Sequence, residues 1–97
     1  MTTMELGGNI ELTGFSNVRS GEMIILKKII GNYANRFNLK AKNFEKLALT
    51  LKSVHKKQFE LHAKMLSSGK TLSSEMVERN IFVGVDGVLK KIMRGMQ

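Results

Sequence analysis

The chain is 97 residues long, with 16 Lys and Arg against 8 Asp and Glu, and it contains no Cys and no Pro. A chain of this length holds one domain, burying roughly 60–68% of its unfolded surface, and the missing thiols exclude disulfides, thiolate metal sites and cysteine nucleophiles together. The net charge of +8 sits mainly on residues 19–57, where ten Lys and Arg face only Glu22 and Glu45, and such a field attracts polyanions such as RNA, DNA or acidic lipid heads. The first nine residues, MTTMELGGN, have neither the basic n-region nor the apolar h-region of a secretory signal. No apolar run approaches the roughly 20 residues that cross a bilayer. The chain therefore reads as cytoplasmic with no membrane partner, a single domain over residues 1–97 with an ordered core from about residue 9 to residue 96.

Residues 9–15, NIELTGF, alternate, with Ile10 and Leu12 on one side and Glu11 and Thr13 on the other, the period of a half-buried strand. Gly14 ends it. A helix is predicted next, with Ser20 as N-cap and Glu22 in its first turn. Leu26, Ile29, Ile30, Tyr33 and Phe37 recur every three or four residues as one apolar stripe; Lys28, Asn32 and Asn35 are opposite, flanked by Lys27 and Arg36. Gly31 costs a helix about 1 kcal/mol relative to Ala and reads as a point of close packing. After the loop NLKAKN, residues 44–54 alternate again, Leu47, Leu49 and Leu51 against Lys46, Thr50 and Lys52. His55, Lys56 and Lys57 form a basic turn. The third strand, residues 58–66, turns Phe59, Leu61, Ala63 and Met65 inward, and residues 67–69 (SSG) signal a turn. A fourth strand over residues 70–78 has Leu72 and Met76 inward. Asn80 caps the last helix, whose inward positions are Ile81, Val85, Val88, Leu89 and Ile92, with Phe82 and Met93 at the edges. Lys91 and Arg94 fall on its outer side, and Asp86 stands one turn before Lys90.

Each strand is apolar on one face only, so the sheet needs cover on one side, and two one-striped helices supply it. The predicted fold is an α+β two-layer sandwich of order β-α-β-β-β-α, a four-stranded sheet with both helices on one face. Reactive groups do not converge. His55 lies in a turn and His62 on the polar sheet face, neither at a metal-ligand spacing from a partner. Residues 67–70 (SSGK) lack the glycine framework and following helix of a phosphate loop, and Gly84 and Gly87 inside a helix make no nucleotide fingerprint. No enzymatic activity, cofactor, metal or small-molecule substrate is expected. The seven Met residues read as core filling.

The basic surface remains. Lys27, Lys28 and Arg36 on the first helix and Lys90, Lys91 and Arg94 on the last line one groove if the helices lie side by side, with axes about 8–10 Å apart. Lys56 and Lys57 extend it from their turn. Two such rows suit a phosphate track, each neutralised phosphate releasing counterion. With the aromatic residues turned inward, recognition rests on backbone and shape. A solvated basic face, a general double-stranded RNA or DNA binder, and a protein-interaction module using a sheet edge or Met surface are the alternatives.

Three segments go further. Residues 10–14 (IELTG) form an opening strand and glycine turn; residues 59–74 form a hairpin containing Leu61-His62-Ala63; residues 80–92 (NIFVGVDGVLKKI) form a capped helix with its aspartate in the pattern aromatic-x-x-(Ile/Val)-Asp. In this order, from Ile10 onward, they resemble the hibernation-promoting factor family, the ribosome-associated protein Y type of domain. The resemblance implies a protein that binds rRNA of the small ribosomal subunit in the channel used by mRNA and tRNA, blocking translation and preserving inactive ribosomes under stress. It also implies that Lys91 and Arg94 occupy positions usually basic in the family, and that Lys27 and Lys28 belong to its generally basic first helix; Lys90 falls where relatives can carry an acid. The sequence reads as a short form, without the basic tail or dimerisation domain of longer relatives, so a monomer is expected and ribosome pairing by this chain alone is not implied.

Overall fold

The computed structural model describes residues 3–6, 9–41, 43–55 and 57–96, apart from the side chains of Glu5, Val54 and His55. Its elements are β1 (Thr3–Leu6), β2 (Ile10–Thr13), α1 (Ser20–Lys40), β3 (Phe44–His55), β4 (Gln58–Ser67), β5 (Lys70–Glu78) and α2 (Ile81–Gly95). The strands form one sheet in the order β1-β2-β3-β4-β5. Neighbours run antiparallel except β2 and β3, which are parallel. A parallel pair needs a crossover, and α1 is that crossover.

The sheet has five strands, not four. β1 pairs with β2 from Thr3 opposite Thr13 to Leu6 opposite Ile10. Met4 and Leu6 rest on the core while Thr3 and Thr13 bring their hydroxyls to 3.1 Å on the other face. β1 thus precedes the strand expected from residue 9. Four residues give only two apolar positions, too few for a period of two to stand out.

The inward residues of the remaining strands are as the alternation predicts. Leu12, Leu47, Leu49, Leu61 and Ala63 are fully buried, facing Leu26, Ile30 and Phe37 of α1 and Val85, Val88 and Leu89 of α2. Ser68 and Gly69 both have positive φ and form the two-residue turn between β4 and β5. Asn80 caps α2, its Oδ1 accepting from the Phe82 and Val83 N–H groups at 2.9 and 3.3 Å. The start of α1 differs from expectation. Arg19 is the N-cap, with no side-chain bond to the helix, and Ser20 is already helical. The helix also runs on to Lys40, taking up part of the expected loop.

Three glycines have distinct reasons. Gly14 has φ +83°, and a Cβ there would sit 2.1 Å from the Leu51 carbonyl oxygen of β3. This lets the chain pass tightly over β3 and sink Phe15 completely into the core. At Gly84 and Gly87 a Cβ would meet the Leu61 side chain at 2.3 Å and the Met76 sulfur at 2.7 Å, so α2 lies close on β4 and β5. Gly31 is the opposite case. Nothing lies within 4 Å of a Cβ built there, so the close packing expected from sequence is absent.

Gly14→Ala should cost at least about 2 kcal/mol, because it combines backbone strain with a clash against a carbonyl that cannot move without opening β3. Asn80→Ala should cost about 1 kcal/mol, as for a lost N-cap. Urea unfolding of both variants checks the order and the sizes.

Candidate nucleic-acid interface

Because both helices cover the same sheet face, they lie against each other. Tyr33 of α1 donates its hydroxyl to Asp86 Oδ1 of α2 at 2.9 Å. The same carboxylate takes Lys90 Nζ at 3.7 Å on its second oxygen, and the Arg36 guanidinium carbon lies 5.5 Å from the centre of the Tyr33 ring. Asp86, placed by the sequence one turn before Lys90, therefore also holds a partner from the other helix. The Tyr33 hydroxyl is pushed above its ordinary value, first by burial, then by the bond it donates to Asp86 and by that carboxylate's charge, with Arg36 acting in the opposite sense.

The predicted basic residues do not share one groove. Arg36 and Lys90 flank the Tyr33–Asp86 bridge, and Arg94 is exposed one turn beyond Lys90 on the outer ridge of α2. Lys91 lies on the opposite flank of α2, its ammonium donating to the Glu75 carbonyl of edge strand β5 at 3.0 Å. Lys27 and Lys28 line a cleft on the far side of α1, facing Leu6, Asn9 and Ile10 of the β1–β2 edge. Lys57 is exposed in the β3–β4 turn with φ 63°, while Lys56 lies outside the described residues. The physical reason is the helical repeat. Lys27 and Lys28 are separated from Tyr33 by angles that place them past the core stripe or on the outer flank, whereas Arg36 is close to it.

The two layers differ in charge balance. On the open sheet face, Lys46 pairs with Glu11, and the His62 ring lies 3.4 Å from Glu60 and 3.5 Å from Glu75. Lys52 and Lys64 are opposed there in register by Glu60 and Ser73. The helical layer carries Lys27, Lys28, Arg36, Lys40, Lys90, Lys91 and Arg94 against Glu22 and Asp86. A polyanion approaching from that side meets unbalanced positive charge.

Two features escaped the sequence. One is a cleft of about 450 Å³ where the starts of both helices meet the ends of β2 and β3, lined by Asn17, Glu22, Phe59, Arg79, Asn80 and Phe82. The other is the run of amides beside Lys27 and Lys28, contributed by Asn9, Asn32, Asn35 and Asn38. The spacing of Asn32, Asn35 and Asn38 was the available signal, since two three-residue steps put them on adjoining parts of one helix flank.

No protein-family model matches the chain, and no curated protein does. Among solved structures, it is similar to a ribosomal subunit interface protein from Coxiella burnetii, with a TM-score of 0.64 over 91% of this chain and 90% of that one. The two chains share an overall fold. Identity between the two is 10%, so the likeness is one of architecture. Among the described residues no helix is long and apolar enough to cross a membrane, and no group of three or more His, Asp or Glu is placed to hold a metal ion.

Tyr33 is the single tyrosine of the chain, so its ionisation can be followed directly by ultraviolet absorbance, with an expected midpoint above the ordinary value of about 10. A raised value means the neutral phenol stabilises the fold fully below about pH 10 and that this contribution is lost as pH rises through the folded value. Tyr33→Phe should cost about 1 kcal/mol at neutral pH. The difference in unfolding free energy between the two proteins should shrink above pH 10.

Proposed function

We propose that this protein is a cytoplasmic, ribosome-associated translation inhibitor of the hibernation-factor kind. It binds rRNA of the small ribosomal subunit in the channel used by mRNA and tRNA, acts as a monomer, and needs no cofactor. The observation that carries this reading is the fold likeness to a ribosomal subunit interface protein over nine-tenths of both chains. The unbalanced positive charge of the helical layer supports it, because rRNA presents a dense array of phosphates to such a surface. Arg36, Lys90 and Arg94 form one set of phosphate contacts along the α1–α2 seam, and Lys27 and Lys28 form a second on the far flank of α1. Lys57 reaches from the β3–β4 turn, and Lys56, its neighbour in sequence, is assigned the same role. Lys91 contributes from the flank of α2 next to β5.

Two sets on different flanks suit an irregular RNA surface that curves around the helical layer better than one straight duplex. A general double-stranded RNA or DNA binder would bind free duplexes as tightly as subunits. Sedimentation with isolated small subunits in a sucrose gradient is the test: the protein should travel with the subunit at low salt. A protein left entirely at the top of the gradient overturns the reading. With about five phosphates contacted, affinity should fall with salt at a log–log slope of roughly −3.5 to −4.5. The double variant Lys28→Gln with Arg94→Gln should weaken subunit binding at least about tenfold while leaving the unfolding free energy within about 0.5 kcal/mol of the parent, as expected for exposed substitutions.

A further inference from the structure

Gly31 stands in the middle of a 21-residue helix, where glycine is among the poorest residues, and a Cβ there would touch nothing. Neither close packing nor a positive φ calls for it. Its position is explained by what lies beside it. Gly31 lines a cleft of about 450 Å³ between the outer flank of α1 and the β1–β2 edge, so the missing side chain is open space inside that cleft.

The walls have a consistent chemistry. Lys27 and Lys28 stand at one end, both exposed, and neither has an ion-pair partner among the described residues. Asn32, Asn35 and Asn38 continue along the helix, and none of the described lining residues is acidic. The far wall carries Leu6, Ile10 and the half-buried ring of Phe44, with the Asn9 amide among them. Ammonium groups neutralise phosphate. Carboxamides carry a donor pair and an acceptor side by side, the pattern that pairs with a base edge. Apolar side chains with an aromatic ring receive the face of a base. At about 1.5 Å per residue, Asn35 lies about 10 Å along the axis from Lys28, the scale that separates a phosphate from the edge of its own base.

We propose that this cleft binds one unpaired nucleotide of RNA, with phosphate at Lys27 and Lys28, base edge at Asn35 and Asn38, and Gly31 leaving the room the base occupies. This rests on the RNA-binding reading above and adds recognition of a base to it. A duplex is excluded as the occupant because its base edges are already paired and its grooves do not present a single base to a cleft of this size.

The test uses the full chain and single-stranded RNA hexamers of each base, with affinity read by fluorescence anisotropy. Gly31→Met places an unbranched, helix-favouring side chain in the cleft. It should raise the melting temperature by a few degrees and lower hexamer affinity at least about tenfold. A merely structural role for Gly31 predicts the gain in stability with no loss of binding, and that result overturns the proposal. Asn35→Ala is exposed and keeps the test independent of Gly31. It should flatten the preference among bases while leaving the salt slope unchanged, whereas Lys28→Gln should reduce the slope by about 0.7. Wild-type protein that binds no hexamer, or binds all four equally, also overturns it. Subunit sedimentation separates the two readings. If Gly31→Met leaves hexamer binding unchanged and wild type travels with subunits, the cleft fails and the ribosome reading stands. If hexamer binding is sensitive to Gly31→Met but no protein travels with subunits, the cleft stands and the ribosome reading fails.

Discussion

The sheet of this protein has one apolar face, and both helices must lie on that face. β3 sets the problem: it pairs with β2 on one side and β4 on the other, and its Leu47, Leu49 and Leu51 form a central row that water must not reach. The crossover helix α1 packs over β3, and α2 lies beside it over β4 and β5, close-set through Gly84 and Gly87. Two helices on one face have to touch, and the contact between Tyr33 and Asp86 is the polar part of that meeting. The same constraint gives α1 two different flanks. One borders α2, and the other borders the β1–β2 edge, where the amide-lined cleft opens.

This division also sorts the charge. On the open sheet face, acids and bases interleave across neighbouring strands, with Lys46 paired to Glu11 and the His62 ring set between Glu60 and Glu75. The helices cannot do the same, because their exposed positions hold bases with few acids within reach. The protein therefore has a directional field, strongest over the helical layer, and a polyanion is oriented by it before any contact forms.

Strict alternation made β2, β3, β4 and β5 legible in the sequence, and the stripe of Ile81, Val85, Val88, Leu89 and Ile92 made α2 equally so. Asn80 was legible because an N-cap side chain acts within three residues of itself. β1 was not, since Thr3 to Leu6 is one repeat of a two-residue period and its pairing with β2 depends on partners elsewhere in the chain. The cations were readable as residues but not as a site. Charge and helical spacing reveal which side chains face water, while the side of α1 that meets α2 is fixed by tertiary packing. So Arg36 and Lys90 come together across 54 positions of sequence, and Lys27, only nine residues from Arg36, faces a different neighbour. Gly31 was visible as an anomaly, but only the empty space beside it distinguishes a glycine that packs from one that leaves room.

Lys91 carries a consequence beyond charge. β5 is the outer strand of the sheet, and an outer strand of nine residues presents backbone groups that another chain can pair with. Lys91 leans over this strand with its ammonium on the Glu75 carbonyl, placing a hydrated cation where a sixth strand would have to dock. The side chain thus occupies part of the edge along which a further strand would pair. Replacing it frees the Glu75 carbonyl as well as deleting a cation, so one substitution here changes the sheet edge and the surface charge together.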